Sequence, residues 1–192
     1  MTAEPVAKPS DAHPHGQEVL NPDEYKAVFR GHPAGVAVVS LRDDETGKLV
    51  GFTATSVISV SAAPPLLAFS LAASSSSWPA LARTSTLALS FLADHQDDVS
   101  ARFATSGIDR FAAGGWRALE TGEPVIEGAL SWVRGRVVQR VAVGSSFLVS
   151  VEAISSSVRL STECAHREGL VAASPLVYHD RTYHRIGEHS AI

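Results

Sequence analysis

Between Gly51 and Leu71 the chain reads GFTATSVISVSAAPPLLAFSL, a hydroxyl-rich strand that leads through a diproline turn into a second, apolar strand. Val, Ile, Thr and Phe are the residues that fit a pleated, half-buried surface, so this segment dictates β structure. Thr53, Thr55, Ser56, Ser59 and Ser61 put five hydroxyls within nine residues, more polarity than a strand needs merely to pack. A polar body lying against the strand is the expectation. The run from Leu66 to Leu71 is apolar on both faces, as in a strand enclosed by barrel on one side and another layer on the other.

The rest of the chain extends this pattern. GVAVVSL from Gly35 to Leu41 reads as a buried strand, and DDETGK, with Gly47, marks a hairpin turn into the strand from Leu49 to Ser56. LALSFLA from Leu87 resumes a strand. The segments Ala129 to Val143, Ser146 to Val158 and Leu176 to Ile186 are rich in β-branched and small alternating residues. Helices are few. Asn21-Pro22-Asp23 is a helix start, Tyr25, Val28 and Phe29 supply an i, i+3, i+4 apolar face, and the helix ends near Gly31. Ser77 can cap a short helix with Pro79 in its first turn. A further helix is predicted from Asp94, whose side chain would accept from the N–H of Asp97, with Val99 and Phe103 facing inward. Roughly six to eight strands and two or three helices, without regular β-helix-β alternation, predict a mainly β domain on a closed or partly open antiparallel barrel. A Rossmann sheet is disfavoured.

At 192 residues the chain suits one domain, expected over residues 21–187 between a tail at 1–20 and a short tail at 188–192. Hydrophobic residues at 45% and charged residues at 19% are those of a soluble globular protein. A net charge of −4 and a pI near 6.0 give no general pull toward nucleic acid or an anionic membrane. Glu4, Asp11 and Glu18 stand where a secretory signal would have its apolar core, and Pro64 and Pro65 break the longest apolar region. Cys164, the single cysteine, allows no intrachain disulfide and fits a cytoplasmic location.

No GxGxxG or Walker loop, no zinc-ligand spacing and no GxSxG elbow occurs, which sets hydrolase and metal chemistry aside. His13 and His15 read as solvated tail residues and Cys164 as an incidental thiol. Thr53, Ala54, Thr55 and Ser56 alternate hydroxyls with small side chains, which lets a backbone approach a flat ring closely and equally suits a polar edge strand. SSSSWP, from Ser74 to Pro79, gathers hydroxyls just before a helix N-terminus. It reads as an anion site for a phosphate or as a loop and cap. Trp78, Trp116 and Trp132 are either ring platforms or core filling.

In their order along the chain these motifs resemble the flavin reductase domain family. The resemblance runs through HPAGVAVVS, the GFTATS block, the serine loop, SARFA, the stretch from Asp109 to Val137 and the closing PLVYHDRTYHRI. It implies an antiparallel FMN-binding split β-barrel and an NAD(P)H:flavin oxidoreductase. FAD or FMN would be the flavin, NADH would be preferred to NADPH, and a homodimer would shape the cleft. It further implies that reduced flavin is supplied to a separate flavin-dependent monooxygenase, as in secondary-metabolite biosynthesis. Carried over by position, Thr53, Ala54, Thr55 and Ser56 contact the isoalloxazine and ribityl chain, and Ser75, Ser76 and Ser77 lie nearest the phosphate. Arg102 and Phe103 flank the phosphate or adenine end, Arg102 having a solvated helix charge as its alternative. Where the family commonly has Gly-Asp-His for the nicotinamide, this chain has Gly144-Ser145-Ser146. Ser145 and Ser146 either bond a carboxamide or form an ordinary turn. His184 is the candidate for nicotinamide positioning, with His179 and His32 beside it, each with a structural alternative. The rival readings are a flavin carrier without turnover and an enzyme that keeps its flavin and reduces another acceptor.

Overall fold

The computed structural model describes residues 19–158, 174–187 and 190. Cys164, His13 and His15 lie outside them. The first helix, α1 (Pro22–Arg30), begins as expected: the Asn21 side chain accepts from the N–H groups of Asp23 and Glu24, and the Glu24 carboxylate accepts from the Asn21 N–H. This capping box satisfies donors that the first turn leaves unpaired. The apolar face of α1 packs differently from a core helix, since Tyr25, Val28 and Phe29 are all exposed.

Seven strands form one antiparallel sheet. In chain order they are β2 (Ala37–Arg42), β3 (Leu49–Ala54), β4 (Ile58–Ala62), β5 (Pro65–Ala72), β6 (Thr86–Phe91), β9 (Ser131–Val143) and β10 (Ser146–Ser156). In space the order is β3-β2-β6-β9-β10-β5-β4. The short β1 (Ala34–Gly35) joins β11 (Leu176–His179) and β12 (Thr182–Arg185), and β7 (Trp116–Ala118) pairs with β8 (Pro124–Ile126). Twelve strands and three helices among the described residues exceed the expected strand number, because the two-, three- and four-residue strands are too short to show a period.

The hydroxyl-rich strand divides in two. Thr55 to Val57 leave the ladder, and the halves, β3 and β4, stand at opposite ends of the seven-strand order. The sheet curls to bring those ends toward each other. Phe52 on β3 and Phe69 on β5 are 5.9 Å apart and share one cluster with Val39, Leu89 and Val149. The short helix α2 (Trp78–Arg83) closes this inner face with Ala80 and Leu81. On the outer face, Val36 and Val38 pack with Phe103 of α3 (Asp97–Ala104), Ile126 of β8 and Leu176 of β11. An outer layer thus covers β2 and β3, whereas Val141 of β9 and Leu148 of β10, paired across the strands, stay exposed.

Two helix starts differ from expectation. Ser77 precedes α2 without a capping bond from its side chain, because its hydroxyl accepts from Arg110 instead. Helix α3 starts at Asp97 rather than Asp94: Gln96 occupies the cap position, and its amide bonds Ala93 N–H and Glu127 carbonyl. Val99 and Phe103 nevertheless face inward.

Ion pairs with buried carboxylates fasten the periphery. Glu123, between β7 and β8, accepts from Thr86, Thr121 and Arg134, the last at 3.0 Å from Nε. Burial pushes its pKa up, but Arg134 and the two threonines outweigh that and hold the carboxyl at about 2. The Arg83 guanidinium, bonded to Asp43 through Nε at 2.8 Å, holds that carboxyl well below the usual carboxylate range against the opposing effect of burial. This pair joins the β2–β3 turn to α2.

Candidate functional site

The break at Thr55 to Val57 creates the principal cavity, of about 890 Å³. One wall is α1, through Tyr25, Phe29 and Arg30; another is the β11–β12 turn, from Tyr178 to Arg181. Pro33, Ala34 and Gly35 form the approach to β1, and a Cβ added to Gly35 would meet nothing within 4 Å, so the backbone there faces open space. Thr55, Ser56 and Ser70 supply hydroxyls. The Ser56 hydroxyl accepts from Ser70 N–H at 2.9 Å and donates to its carbonyl at 3.2 Å, imitating a missing rung of the ladder. That pair of bonds explains how a segment outside both strands keeps a defined path.

Most of the other expected residues lie outside the lining of this cavity. Thr53 donates to the Ser100 carbonyl at 2.6 Å and thereby anchors β3 to α3, while Ala54 lies in the core. Ser75 accepts from Ser77 N–H at 3.3 Å, which tightens the serine loop. Ser76 and Ser77 line a second, small cavity of about 180 Å³ together with Gly51 and Arg110. Arg102 donates to the Gly114 carbonyl at 3.2 Å and lies over the Phe103 ring, with its Nε buried and without a partner among the described residues. Phe103 is fully buried, edge-on to Phe111, and sits where a side chain at Gly51 would have to be. Ser145 and Ser146 form and follow the β9–β10 turn, where the Ser145 carbonyl accepts from Ala73 N–H at 2.9 Å and draws the turn to the serine loop. His184 lines a third cavity with Asp94, His95 and Asp97. His179, 5.7 Å away ring to ring, lines the principal one with His32. The tryptophans are placed by packing: Trp78 stacks on Phe147 at 3.5 Å, and Trp116 donates to the Phe111 carbonyl.

Arg110 was not singled out by the sequence. Its guanidinium donates to the carbonyls of Thr105 and Gly51 and to the Ser77 hydroxyl, the last at 3.1 Å, and burial pulls its pKa down. A half-buried cation against a serine loop is a donor set for an anion. Its partners lie up to 59 residues away, so no local spacing reveals it.

A cavity of this size falls in the range of about 300 to 1,000 Å³ that holds small molecules and cofactors. Aromatic walls, hydroxyls and a backbone open to close approach make it a bed for a planar, polar ring system. Residues 29–187 match the flavin reductase like domain family. The chain belongs to that family. Its relatives include an NADH:FMN oxidoreductase of Rhodococcus qingshengii, 45% identical over 163 residues, or 84% of this chain and 80% of the relative. Another is the reductase subunit of a flavin-dependent monooxygenase of Mycobacterium tuberculosis, 33% identical over 71% of this chain and 73% of its own length. Among solved structures, a flavin reductase domain protein of Arthrobacter superposes with a TM-score of 0.74 at 32% identity, covering 86% of this chain and 95% of that one. The flavin reductase family thus matches in both sequence and fold, and the antiparallel, mainly β architecture agrees with the sequence reading.

Proposed function

We propose that this protein is an NAD(P)H:flavin oxidoreductase that reduces FMN or FAD at the principal cavity and supplies reduced flavin to a separate flavin-dependent monooxygenase. The observation that carries the reading is the cavity at the strand break, where Thr55, Ser56 and Ser70 face the aromatic side chains of α1. The Rhodococcus and Mycobacterium relatives support it, and the curl of the seven-stranded sheet supports a split barrel as its frame. The chemistry supplied by the bound pair is hydride transfer from nicotinamide C4 to flavin N5.

The chain's own task is placement. Thr55 and Ser56 are suited to hydrogen-bond the polar edge of the flavin ring, and the open backbone at Gly35 admits it closely. Ser76, Ser77 and Arg110 fit a phosphate of one of the two bound ligands, with Arg110 in the part that family resemblance assigns to Arg102. Tyr25 and Phe29 shield the ring from water, and holding two reactants face to face is the main source of acceleration open to such a site. We assign secondary-metabolite biosynthesis as one setting for the partner monooxygenase, and NADH as the preferred donor, by family resemblance.

The test is NADH and NADPH oxidation followed at 340 nm by the purified protein, with FMN, FAD and riboflavin added separately. Turnover that depends on added flavin is the expected result. Flavin binding without oxidation of either nucleotide would sink the oxidoreductase reading and leave a flavin carrier. Capture of the reduced flavin by cytochrome c separates release from an enzyme that keeps its flavin.

A further inference from the structure

Two arginines line the principal cavity from adjoining elements. The N–H of Asp180 donates to the carbonyl of Arg30 at 3.0 Å, which ties the end of α1 to the β11–β12 turn and sets Arg30 beside the turn that carries Arg181. Both arginines are exposed cavity residues, and among the described residues neither forms an ion pair. Lys26 on the same wall is engaged by Asp23 at 3.3 Å. Asp180 is the one carboxylate that lines the cavity among the described residues, and it pairs with neither arginine.

The turn presents Arg181 against local preference. Asp180 and Arg181 have φ of 45° and 63°. A two-residue hairpin turn with both positions left-handed favours glycine at the second, and a long side chain there is an outlier of the kind that clusters at ligand sites.

We propose that Arg30 and Arg181 form an anion subsite that takes a phosphate group of the nucleotide bound in the principal cavity. Their planar forks match phosphate oxygens pairwise, and an anion in the cavity is attracted by both cations. Ser77 and Arg110 line a separate cavity, so the two cationic clusters can receive phosphates of two different ligands. The subsite rests on the oxidoreductase reading. Its phosphate comes from the nicotinamide nucleotide or from the flavin, and binding measurements distinguish them.

The full chain and the double variant Arg30→Gln, Arg181→Gly are titrated by fluorescence, glycine being chosen because it fits the left-handed turn. One series is NADH, NADPH and phosphate-free reduced nicotinamide riboside; the other is FMN, FAD and phosphate-free riboflavin. The dissociation constant of the phosphate-bearing forms should rise by about tenfold or more in the double variant, with the phosphate-free form of that series unchanged. The series in which this happens names the source of the phosphate. Equal weakening of the phosphate-free ligands, or no change in either series, overturns the subsite. An active wild-type enzyme whose double variant binds every nucleotide as before loses the subsite alone. A wild-type protein that oxidises neither NADH nor NADPH with any flavin loses the oxidoreductase reading, and the titrations still judge the subsite.

Discussion

Glu123 is nearly inaccessible to solvent, yet it stays ionised because every direction around it offers a donor: Arg134 from β9, Thr86 from β6 and Thr121 from its own turn. Removing one partner of such a pair leaves the other buried and unmatched, so a single change here should destabilise the fold. The folded-state pKa lies at about 2, below the ordinary 4.5 of a glutamate. A depressed carboxylate contributes stability that is fully present above its unfolded value and is lost as pH falls through its folded value. The contribution should therefore be constant above about pH 5 and fade between 4.5 and 2. Asp43, held below the carboxylate range by Arg83, extends the loss in the same direction. Glu123→Gln is expected to lower the melting temperature at pH 7 and to flatten the acid limb. Thermal unfolding followed from pH 7 to pH 2 in both proteins decides it, and parallel curves would show that Glu123 does not titrate with folding.

The β11–β12 turn is the element whose local rules and apparent use conflict most. A non-glycine residue in the left-handed region is disfavoured by roughly 1–2 kcal/mol, and glycine returns about half of that as unfolded-chain entropy. Arg181→Gly alone should therefore stabilise the protein by about 0.5–1 kcal/mol, a rise in melting temperature of roughly 1–4 °C. Calorimetry checks it; a fall would mean that Arg181 makes a stabilising contact. Neither this turn nor the cavity it borders was legible in the sequence. The start of α1 at Asn21-Pro22-Asp23, the Gly47 hairpin and the inward face of α3 were, because each is written within a few neighbouring residues. The division of the hydroxyl-rich strand was not: alternation runs on through Thr55 and Ser56 without glycine or proline, and only the order of strands in the folded sheet separates β3 from β4. The site was legible to the same degree. Thr55 and Ser56 were found by their pattern, whereas Arg110 depends on Gly51 and Ser77, brought to it by tertiary packing alone.

At the scale of the whole molecule, the outer layer stops halfway across the sheet. It covers β2 and β3, and leaves Val141, Val143 and Leu148 exposed on the β9–β10 hairpin, with Ile58 exposed on β4. Leu148 pairs with Ser70, a wall residue of the principal cavity, so the bare apolar face runs directly into the site. Apolar patches of this kind next to a binding cleft mark association surfaces. We propose that a second copy covers the face and completes the cavity wall, giving the homodimer expected from family resemblance. Light scattering coupled to size exclusion should then report twice the chain mass of 20.2 kDa. Val141→Glu places a charge on the exposed face without touching the inner core, and should shift the protein to the monomer with an unchanged far-ultraviolet dichroism spectrum. Because the face adjoins Ser70, flavin affinity should fall along with dimerisation. A monomeric wild type would remove the dimer. A variant that becomes monomeric yet binds flavin as before would keep the dimer and free the site from dependence on it.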